Sequence, residues 1–374
     1  MARLTTERME QITWPIVQLY SAIQTEILES VAIRLGHHKE LLDQNITEWY
    51  NMKIQQIGGL TKQNIEIISK KSGLAPPLVK KILKEAGFEG IDQNEKVLQD
   101  ALKQGAAIIA AAPVAQDPSI WAILDAFERQ ALDSFNLINT SMLTGAQQVY
   151  IDILTKTQAD VLTGLKTPQE ALRTTISKWA DKGIPVLRKR DGKKEYAEAY
   201  VNRIIRTTTN NVTNEMQDMQ DARFDSYGID LVEISSHIGA RPKCAPYQGR
   251  IFSRSGKDKK YKSLSSTSIG EPDGLFGINC GHFQYPFVPG ISVQRYYPVD
   301  AQKNAEAYKN SQRQRSLENN IRKAKRELAM CEKAGDETGV KQARAKILKR
   351  QKRMREFIEE TGRTRRRERE QILY

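Results

Sequence analysis

The sequence has few residues of the kinds that stabilise small secreted proteins or span membranes. Its 374 residues include three cysteines and four histidines. So few cysteines, in an odd number, offer no disulfide framework and predict synthesis in a reducing compartment. The apolar run 106–115 is short and contains Pro113, so it cannot cross a bilayer. Nothing resembles a secretory signal peptide, and we expect no association with a membrane.

Motifs of common enzyme classes are also missing. The Gly-rich segment 274–277 lacks the Gly-Lys-Ser/Thr end of a phosphate-binding loop. Arg206–Thr207 and Ser266–Thr267–Ser268 are similar to two parts of an ADP-ribosyltransferase site. The Glu-x-Glu that such an enzyme needs on a later strand occurs only at 368–370, inside a charged tail. We therefore expect no catalytic residues, with an ADP-ribosyltransferase-like enzyme as the alternative.

Positive charge is concentrated in the last fifth of the chain. The formal net charge is +13 at pH 7. Residues 301–374 contain 22 Lys and Arg against 11 Asp and Glu, so they carry +11 and the remainder only +2. Such a segment suits a polyanion, either nucleic acid or an acidic protein surface. A solvated charged helix has the same composition, so this alternative stays open.

The periodicity of apolar residues predicts a mainly α-helical protein with a small, loop-rich α+β domain. We predict a helical N-terminal domain at 1–112 and a helical middle region at 113–183. An α+β domain follows at 184–300, and a basic helical hairpin with a tail occupies 301–374. An Ala- and Pro-rich joint at 106–118 supports the first boundary.

Local turn signals predict where single elements begin and end. Gly145 is expected to end one long helix before a second helix starts at Gln147. Asp191–Gly192 is the favoured two-residue turn of a β-hairpin, which we predict over 185–196. Residues 61–86 have the spacing of a helix-turn-helix, so a DNA-binding protein is a further alternative.

The loop-rich stretch 237–289 contrasts with the helical remainder. It contains two pairs of metal-ligand residues separated by a polar loop, His237 with Cys244 and Cys280 with His282. Two such pairs predict a structural zinc site closed by four protein ligands. Cysteines that pack as small apolar residues, or a catalytic Cys280 or His282, are the alternatives. Four further loop residues are predicted to be structural, because irregular backbone needs partners: Arg241, Gln248, Gly249 and Asn279.

Apolar residues at spacings of three and four predict an antiparallel helical hairpin in the last region. Cys331 falls on its seam, and 363–369 is expected to be a frayed tail. So narrow a seam buries little surface, which predicts that a partner orders the hairpin. Basic residues expected to contact DNA phosphates lie on both limbs: Arg322, Lys323, Lys325, Arg326, Lys349, Arg350, Lys352, Arg353 and Arg355.

Several strings in and before the loop-rich stretch resemble those of a known family. Y-V-N-R-I-I-R-T-T-T-N starts at Tyr200, S-S-H-I-G-A-R-P at Ser235 and C-A-P-Y-Q-G-R-I-F-S at Cys244. G-I-N-C-G-H-F and P-F-V-P-G follow at Gly277 and Pro286. Together they resemble the signature of the tailed-phage minor capsid protein 2 family, and the resemblance covers roughly residues 1–300.

The resemblance implies a structural component of the phage head, made in the cytoplasm of the bacterial host. It implies action with the portal, and with major capsid or scaffold proteins, during head assembly. A histidine often stands in the family where this chain has Cys244, and both residue types bind zinc. The hairpin after residue 300 lies outside the signature, so its expected contact with double-stranded DNA depends on charge alone.

Overall fold

A computed structural model describes residues 6–103, 118–226, 229–277 and 280–372. This part of the chain is mainly α-helical, with short strands in two small antiparallel sheets, which confirms the predicted fold class. None of its helices is both long and apolar enough to cross a membrane. The predicted joint at 106–118 falls almost wholly outside the described residues.

Ten α-helices make up most of the described chain. Their bounds are α1 Thr6–Gly36, α2 Lys39–Gln44, α3 Ile46–Gln55, α4 Ile57–Ser72, α5 Ala75–Lys103, α6 Pro118–Leu162, α7 Pro168–Lys182, α8 Ala197–Ser226, α9 Ala301–Lys333 and α10 Glu337–Thr361. The five strands are β1 Pro185–Arg188, β2 Lys194–Tyr196, β3 Leu231–Ile234, β4 Ile251–Ser253 and β5 Gln284–Pro286.

The folded chain divides into two compact units, each assembled from three separate stretches. Unit 1 contains Met1–Pro15, Pro76–Asp133 and Asn202–Ser311, and unit 2 contains Ile16–Ala75, Ser134–Val201 and Gln312–Tyr374. The four consecutive regions expected from the sequence stay a prediction, because this division does not tell which segments fold on their own.

Unit 2 buries the apolar stripe that the sequence predicts along α1. Ile23, Ile27 and Val31 recur at helical spacing and are fully buried. Tyr20, on the same face, stacks on Phe135 of α6 with ring centroids 5.2 Å apart. Packing of this face, rather than intrinsic propensity, therefore holds the helix.

Gly145 has a different role from the one predicted. The expected helix end is wrong, because α6 continues without a break to Leu162. A Cβ atom at Gly145 would lie 2.2 Å from the carbonyl oxygen of Pro185 at the start of β1. The glycine therefore allows backbone from the β-hairpin to approach the helix closely.

The β-hairpin predicted over 185–196 is confirmed, since β1 pairs with β2 in antiparallel register. Its turn is longer than the two residues expected. Gly192 donates its N–H to the carbonyl of Lys189 at 2.9 Å and has φ of +79°. Lys189 in turn donates its N–H to the carbonyl of Lys193. This is a three-residue loop with glycine in the left-handed position, another common hairpin connection.

The C-terminal helical hairpin is also confirmed. Asp336 caps α10 by accepting the N–H of Gly339 at 3.0 Å. Ile321, Met354 and Phe357 form the buried seam. The hairpin was expected to need a binding partner to become ordered. Within unit 2, however, it already contacts other elements of the same chain.

Ion pairs and hydrogen bonds join the hairpin to α7. Arg173 of α7 forms two bonds with the carboxylate of Asp336, at 2.8 and 3.0 Å. Ser177 of α7 donates to Glu327 of α9 at 2.6 Å, and Lys346 of α10 pairs with the same carboxylate. From Gln312 onwards, the hairpin is therefore an integral part of unit 2.

The tail after α10 is ordered, so the expectation of fraying at 363–369 is wrong. Arg363 donates to Gln314 at 2.7 Å, and Arg366 forms two bonds with Glu318, at 2.8 and 3.0 Å. Glu318 is 2 % exposed, which makes this a largely desolvated pair. Buried charges need partners of this kind, and the arginines of the tail provide them.

Candidate metal centre

A three-stranded sheet carries the loop-rich stretch of unit 1. β3 lies between β4 and β5 and is antiparallel to both. Val232 and Ile234 of β3 lie in an apolar cluster that also contains Cys244 and Cys280. On the same strand, Glu233 accepts the backbone N–H groups of residues 295 and 296 at 2.7 and 2.5 Å. The sheet thus anchors the loops on which the candidate ligands lie.

Three of the four predicted ligands meet in the structure. The sulfur atoms of Cys244 and Cys280 lie 3.9 Å apart, and Nδ1 of His282 lies 3.4 Å from the sulfur of Cys280. The ligand atoms of the three residues all lie within 4.8 Å of one another. All three side chains are buried. Two cysteines and one histidine are a set of ligands that Zn²⁺ prefers.

The fourth predicted ligand, His237, lies beside this group and not within it. Its ring stacks on that of His282, with centroids 4.5 Å apart and planes at 27°. Its backbone N–H donates to Oε1 of Gln248 at 3.0 Å. Among the described residues, three of the expected ligands therefore come together. The imidazole of His237 instead stacks against the ring of one of them, His282.

Burial and close contact shift the protonation of these groups. Burial, with a further contribution from His282, lowers the pKa of His237 to about 4. The hydrogen bond with Cys244 holds the pKa of Cys280 well below its usual range, and His282 acts in the same direction. The same bond, together with burial, raises the pKa of Cys244. Cys280 is therefore the cysteine that loses its proton more readily, and thiolates are the metal-binding form.

Gln248 was predicted to be structural, and it occupies the centre of a buried hydrogen-bond network. Its side chain is 1 % exposed. Besides accepting the N–H of His237, its Oε1 lies 3.3 Å from Nε2 of His282. Its Nε2 donates to Oδ1 of Asn304 at 3.4 Å. One amide thus contacts both histidines of the stretch.

Asn304 is a site residue that the sequence did not indicate. It lies in the first turn of α9, and its Oδ1 accepts the N–H groups of Gly239 and Ala240 at 2.9 Å each. Its Nδ2 donates to the carbonyl of Ala240 at 2.9 Å. An asparagine in a polar helix carries no sequence signal for such a role, because α9 lies outside the recognisable strings.

The other residues predicted to be structural have separate positions. Arg241 donates to the carbonyl of Gly274 at 3.2 Å and lies 3.7 Å from the sulfur of Cys244. Gly249 has φ of +67°, and a Cβ there would lie 2.1 Å from backbone of Tyr297. Only glycine fits both conditions. Asn279 lies outside the described residues.

The residues similar to an ADP-ribosyltransferase site are engaged elsewhere. Arg206 pairs with the buried carboxylate of Glu10 at 3.4 Å. Ser268 donates to the carbonyl of Lys243 and accepts a backbone N–H, which joins two loops. The Glu-x-Glu at 368–370 lies in a short 3-10 helix and not on a strand.

The predicted phosphate-contacting residues on α9 are largely occupied within unit 2. Arg322 is 8 % exposed and pairs with Glu198. Arg326 is 3 % exposed and donates to the carbonyl of Ala180 at 2.8 Å. These two guanidinium groups cannot reach a polyanion without breaking the fold, which differs from the expectation. Two neighbouring lysines also have partners, Lys323 with Asp181 and Lys325 with Gln371.

On α10 the predicted residues lie at the surface. Four of them are exposed: Lys349, Lys352, Arg353 and Arg355. Helical periodicity places Lys349, Lys352 and Arg355 on the side away from the buried Ala343, Met354 and Phe357, with Arg353 at its edge. The fifth, Arg350, is half-buried and donates to a backbone carbonyl of α9. The predicted residues of α10 are therefore more exposed than those of α9.

Comparison with known proteins agrees with the strings of the loop-rich stretch. A family described as Phage minor capsid protein 2 matches residues 4–359, which extends well past the signature. A structural protein of Lactococcus phage LL-H is 31% identical over 339 residues, covering 86% of this chain and 87% of that protein. A structural protein of Lactococcus phage mv4 is 31% identical over 101 residues, covering 27% of this chain and 82% of that protein.

No solved structure matches the chain. The family match and the first relative each extend over most of the sequence, including the helical regions that carry no recognisable string. The chain therefore belongs to the phage minor capsid protein 2 family and is a structural component of the virion.

Proposed function

We propose that this minor capsid protein acts with the portal during head assembly and contacts packaged DNA through the basic face of α10. The observation that carries the DNA contact is the exposure of four neighbouring cations, Lys349, Lys352, Arg353 and Arg355, on the solvent-facing half of α10. Lys341 and Arg344 are exposed earlier on the helix and align with Lys352 and Arg355, respectively, eleven residues later. Because the residues similar to an ADP-ribosyltransferase site are engaged in structural bonds, enzymatic activity is not part of the proposal.

The geometry of this face suits the backbone of a duplex. From Lys341 to Arg355 the helix rises about 21 Å. Duplex DNA carries about one negative charge per 1.7 Å of axis, so several phosphates lie within that length. Flexible lysine and arginine side chains contact phosphates without reading bases. The contact is therefore independent of sequence and sensitive to salt.

Retention of duplex DNA by the full chain tests this proposal. Replacing Lys349, Lys352, Arg353 and Arg355 together by glutamine should remove most retention at low salt and flatten its dependence on salt. A control with the same loss of charge replaces the four exposed lysines of the polar loop in unit 1, Lys257, Lys259, Lys260 and Lys262. Equal effects of the two variants would contradict a specific role of α10.

The portal contact has its own test. The family resemblance supports it, since the resemblance implies action with the portal in head assembly. Co-expression with the portal of the same phage should give a complex that survives purification. If the α10 variant no longer binds the portal, and the unmodified chain does not bind DNA at low salt, the positive charge of α10 binds an acidic protein surface instead.

We further propose that Cys244, Cys280 and His282 bind a structural zinc ion. The cysteines lie in an apolar cluster, as plain packing would also require. Packing alone gives no reason for an imidazole nitrogen to face the sulfur of Cys280 inside that cluster. A bound zinc ion would cross-link the loop before β4 to the loop before β5. Zinc analysis of the purified protein separates the two interpretations.

A further inference from the structure

We propose that Gln248 and Asn304 are positioning residues that fix which ring nitrogen of His282 carries the proton, and so direct the lone pair of Nδ1 towards the two cysteines. This inference rests on the zinc site proposed above. It assigns a role to two residues that would not contact the zinc ion but would determine how tightly the site binds it.

The first step is the orientation of Asn304. One end of its side chain receives two backbone N–H groups, from Gly239 and Ala240, so this end must be the amide oxygen. The other end faces the carbonyl of Ala240 and must be the amide nitrogen. The orientation of this amide is therefore determined by the backbone around it.

The second step is the orientation of Gln248. The oxygen of Asn304 faces this amide at 3.4 Å and would repel a second oxygen, so Gln248 presents its nitrogen there. Its own oxygen then lies at the opposite end, where it accepts the backbone N–H of His237 at 3.0 Å. Two independent contacts thus fix the same orientation. Burial strengthens the requirement, because Gln248 and Asn304 are 1 % and 4 % exposed.

The third step is the tautomer of His282. The oxygen of Gln248 lies 3.3 Å from its Nε2, and an acceptor at this place favours the tautomer that carries the proton on Nε2. Nδ1 is then unprotonated and faces the sulfur of Cys280 at 3.4 Å. Metal-binding histidines commonly donate their second ring N–H to a carbonyl or carboxylate oxygen in this way.

Zinc affinity of two Gln248 variants tests the inference. Gln248→Met has a similar length but no acceptor, so its affinity should fall by about 10- to 100-fold in competition with a chromogenic chelator. Gln248→Glu keeps an oxygen for His282 but places another against Oδ1 of Asn304. It should lose stability yet keep an affinity within about threefold of the unmodified protein, because the acceptor for the ring remains.

The matched control is Gln294→Met. Gln294 donates to the carbonyls of Gly249 and Tyr296 at 3.0 and 2.8 Å and so holds loop backbone of the same unit. If glutamines in these loops acted only through stability, this variant would lower zinc affinity as Gln248→Met does. The proposal expects unchanged affinity.

A spectroscopic measurement reads the tautomer directly. Imidazole ¹⁵N chemical shifts of histidine-labelled, metal-free protein should show His282 with its proton on Nε2, and Gln248→Met should shift the population towards Nδ1–H. A proton on Nδ1 in the unmodified protein would overturn the proposal, even if Gln248→Met does not fold. Undiminished affinity in a folded Gln248→Met protein would overturn the positioning role alone. Absence of zinc binding by the unmodified protein would refute the metal site itself.

Discussion

Nε2 of His282 lies 3.3 Å from Oε1 of Gln248, while Nδ1 of the same ring faces the sulfur of Cys280. The imidazole thus has one side towards an amide and the other towards a pair of cysteines. Asn304 continues the chain of contacts to the start of α9. The site therefore depends on both the loop-rich stretch and a helix that follows it.

Zinc should contribute to the stability of the chain through Cys280. Chelation is expected to lower the free energy of unfolding by about 4 kcal/mol when free zinc had been about 1,000-fold above Kd. Cys280→Ala should lower the urea midpoint similarly and abolish any further effect of the chelator. Cys331→Ala removes a buried cysteine elsewhere, at a cost of about 1–2 kcal/mol, and should keep the full response to chelation. A chelator response that persists in Cys280→Ala would rule out this ligand.

Gly145→Ala should destabilise unit 2. The added methyl group would lie 2.2 Å from the carbonyl oxygen of Pro185, and such overpacking costs about 1–3 kcal/mol. Gly58→Ala is the control, since it also lies in a helix but has nothing within 4 Å of its added Cβ. There the substitution should stabilise by about 0.5–1 kcal/mol. Thermal unfolding measures both, and a gain at Gly145 would contradict the close approach.

Arg322→Met should be among the most destabilising changes in the hairpin. It would leave the carboxylate of Glu198 largely buried without its arginine, which costs about 3–5 kcal/mol. The double variant Arg322→Met with Glu198→Leu should recover most of this loss. Urea unfolding of four proteins, the unmodified chain, both single variants and the double variant, completes a double-mutant cycle. If the single variant is as stable as the unmodified chain, Arg322 is free to contact DNA after all.

Lys53 should make stability depend on alkaline pH. Its side chain is fully buried and donates to backbone carbonyls at the end of α1, and burial lowers its pKa from 10.5 to about 8. Between these values the unfolded chain holds a proton that the folded chain has released, so this contribution to stability rises with pH. The Lys53→Met variant should not show this rise in stability with pH.

Urea unfolding of both proteins at pH values from about 7 to 11 measures this contribution. The stability of the unmodified chain relative to Lys53→Met should rise by about 3 kcal/mol at most across that window. A difference that does not change with pH would show that Lys53 remains charged in the folded protein.

The sequence predicted the elements whose signals are local. The β-hairpin around Asp191 and the helical hairpin after residue 300 follow from turn chemistry and apolar spacing, and both are confirmed. Cys244, Cys280 and His282 were selected by residue type, and the chain brings them together. Periodicity and residue type are enough to predict such features, because few other structures are compatible with those patterns.

Features that depend on contacts distant in sequence were missed. Gly145 has the local signature of a helix end, but its role comes from Pro185, forty residues later. Asn304 acts on loop backbone more than sixty residues earlier. The basic residues of α9 and α10 are alike in composition, yet neighbouring elements bury Arg322 and leave Lys349 exposed. Only the fold distinguishes a cation that neutralises an internal carboxylate from one that faces solvent.

Native mass spectrometry of the full chain, purified without chelators or added metal, tests whether Cys244, Cys280 and His282 form a metal centre. The unmodified chain should carry one zinc ion, and the Cys244→Ala and Cys280→Ala variants should carry none. A metal-free chain that takes up no added zinc, while its thiols stay reduced and its fold intact, would show that the cluster is not a metal centre.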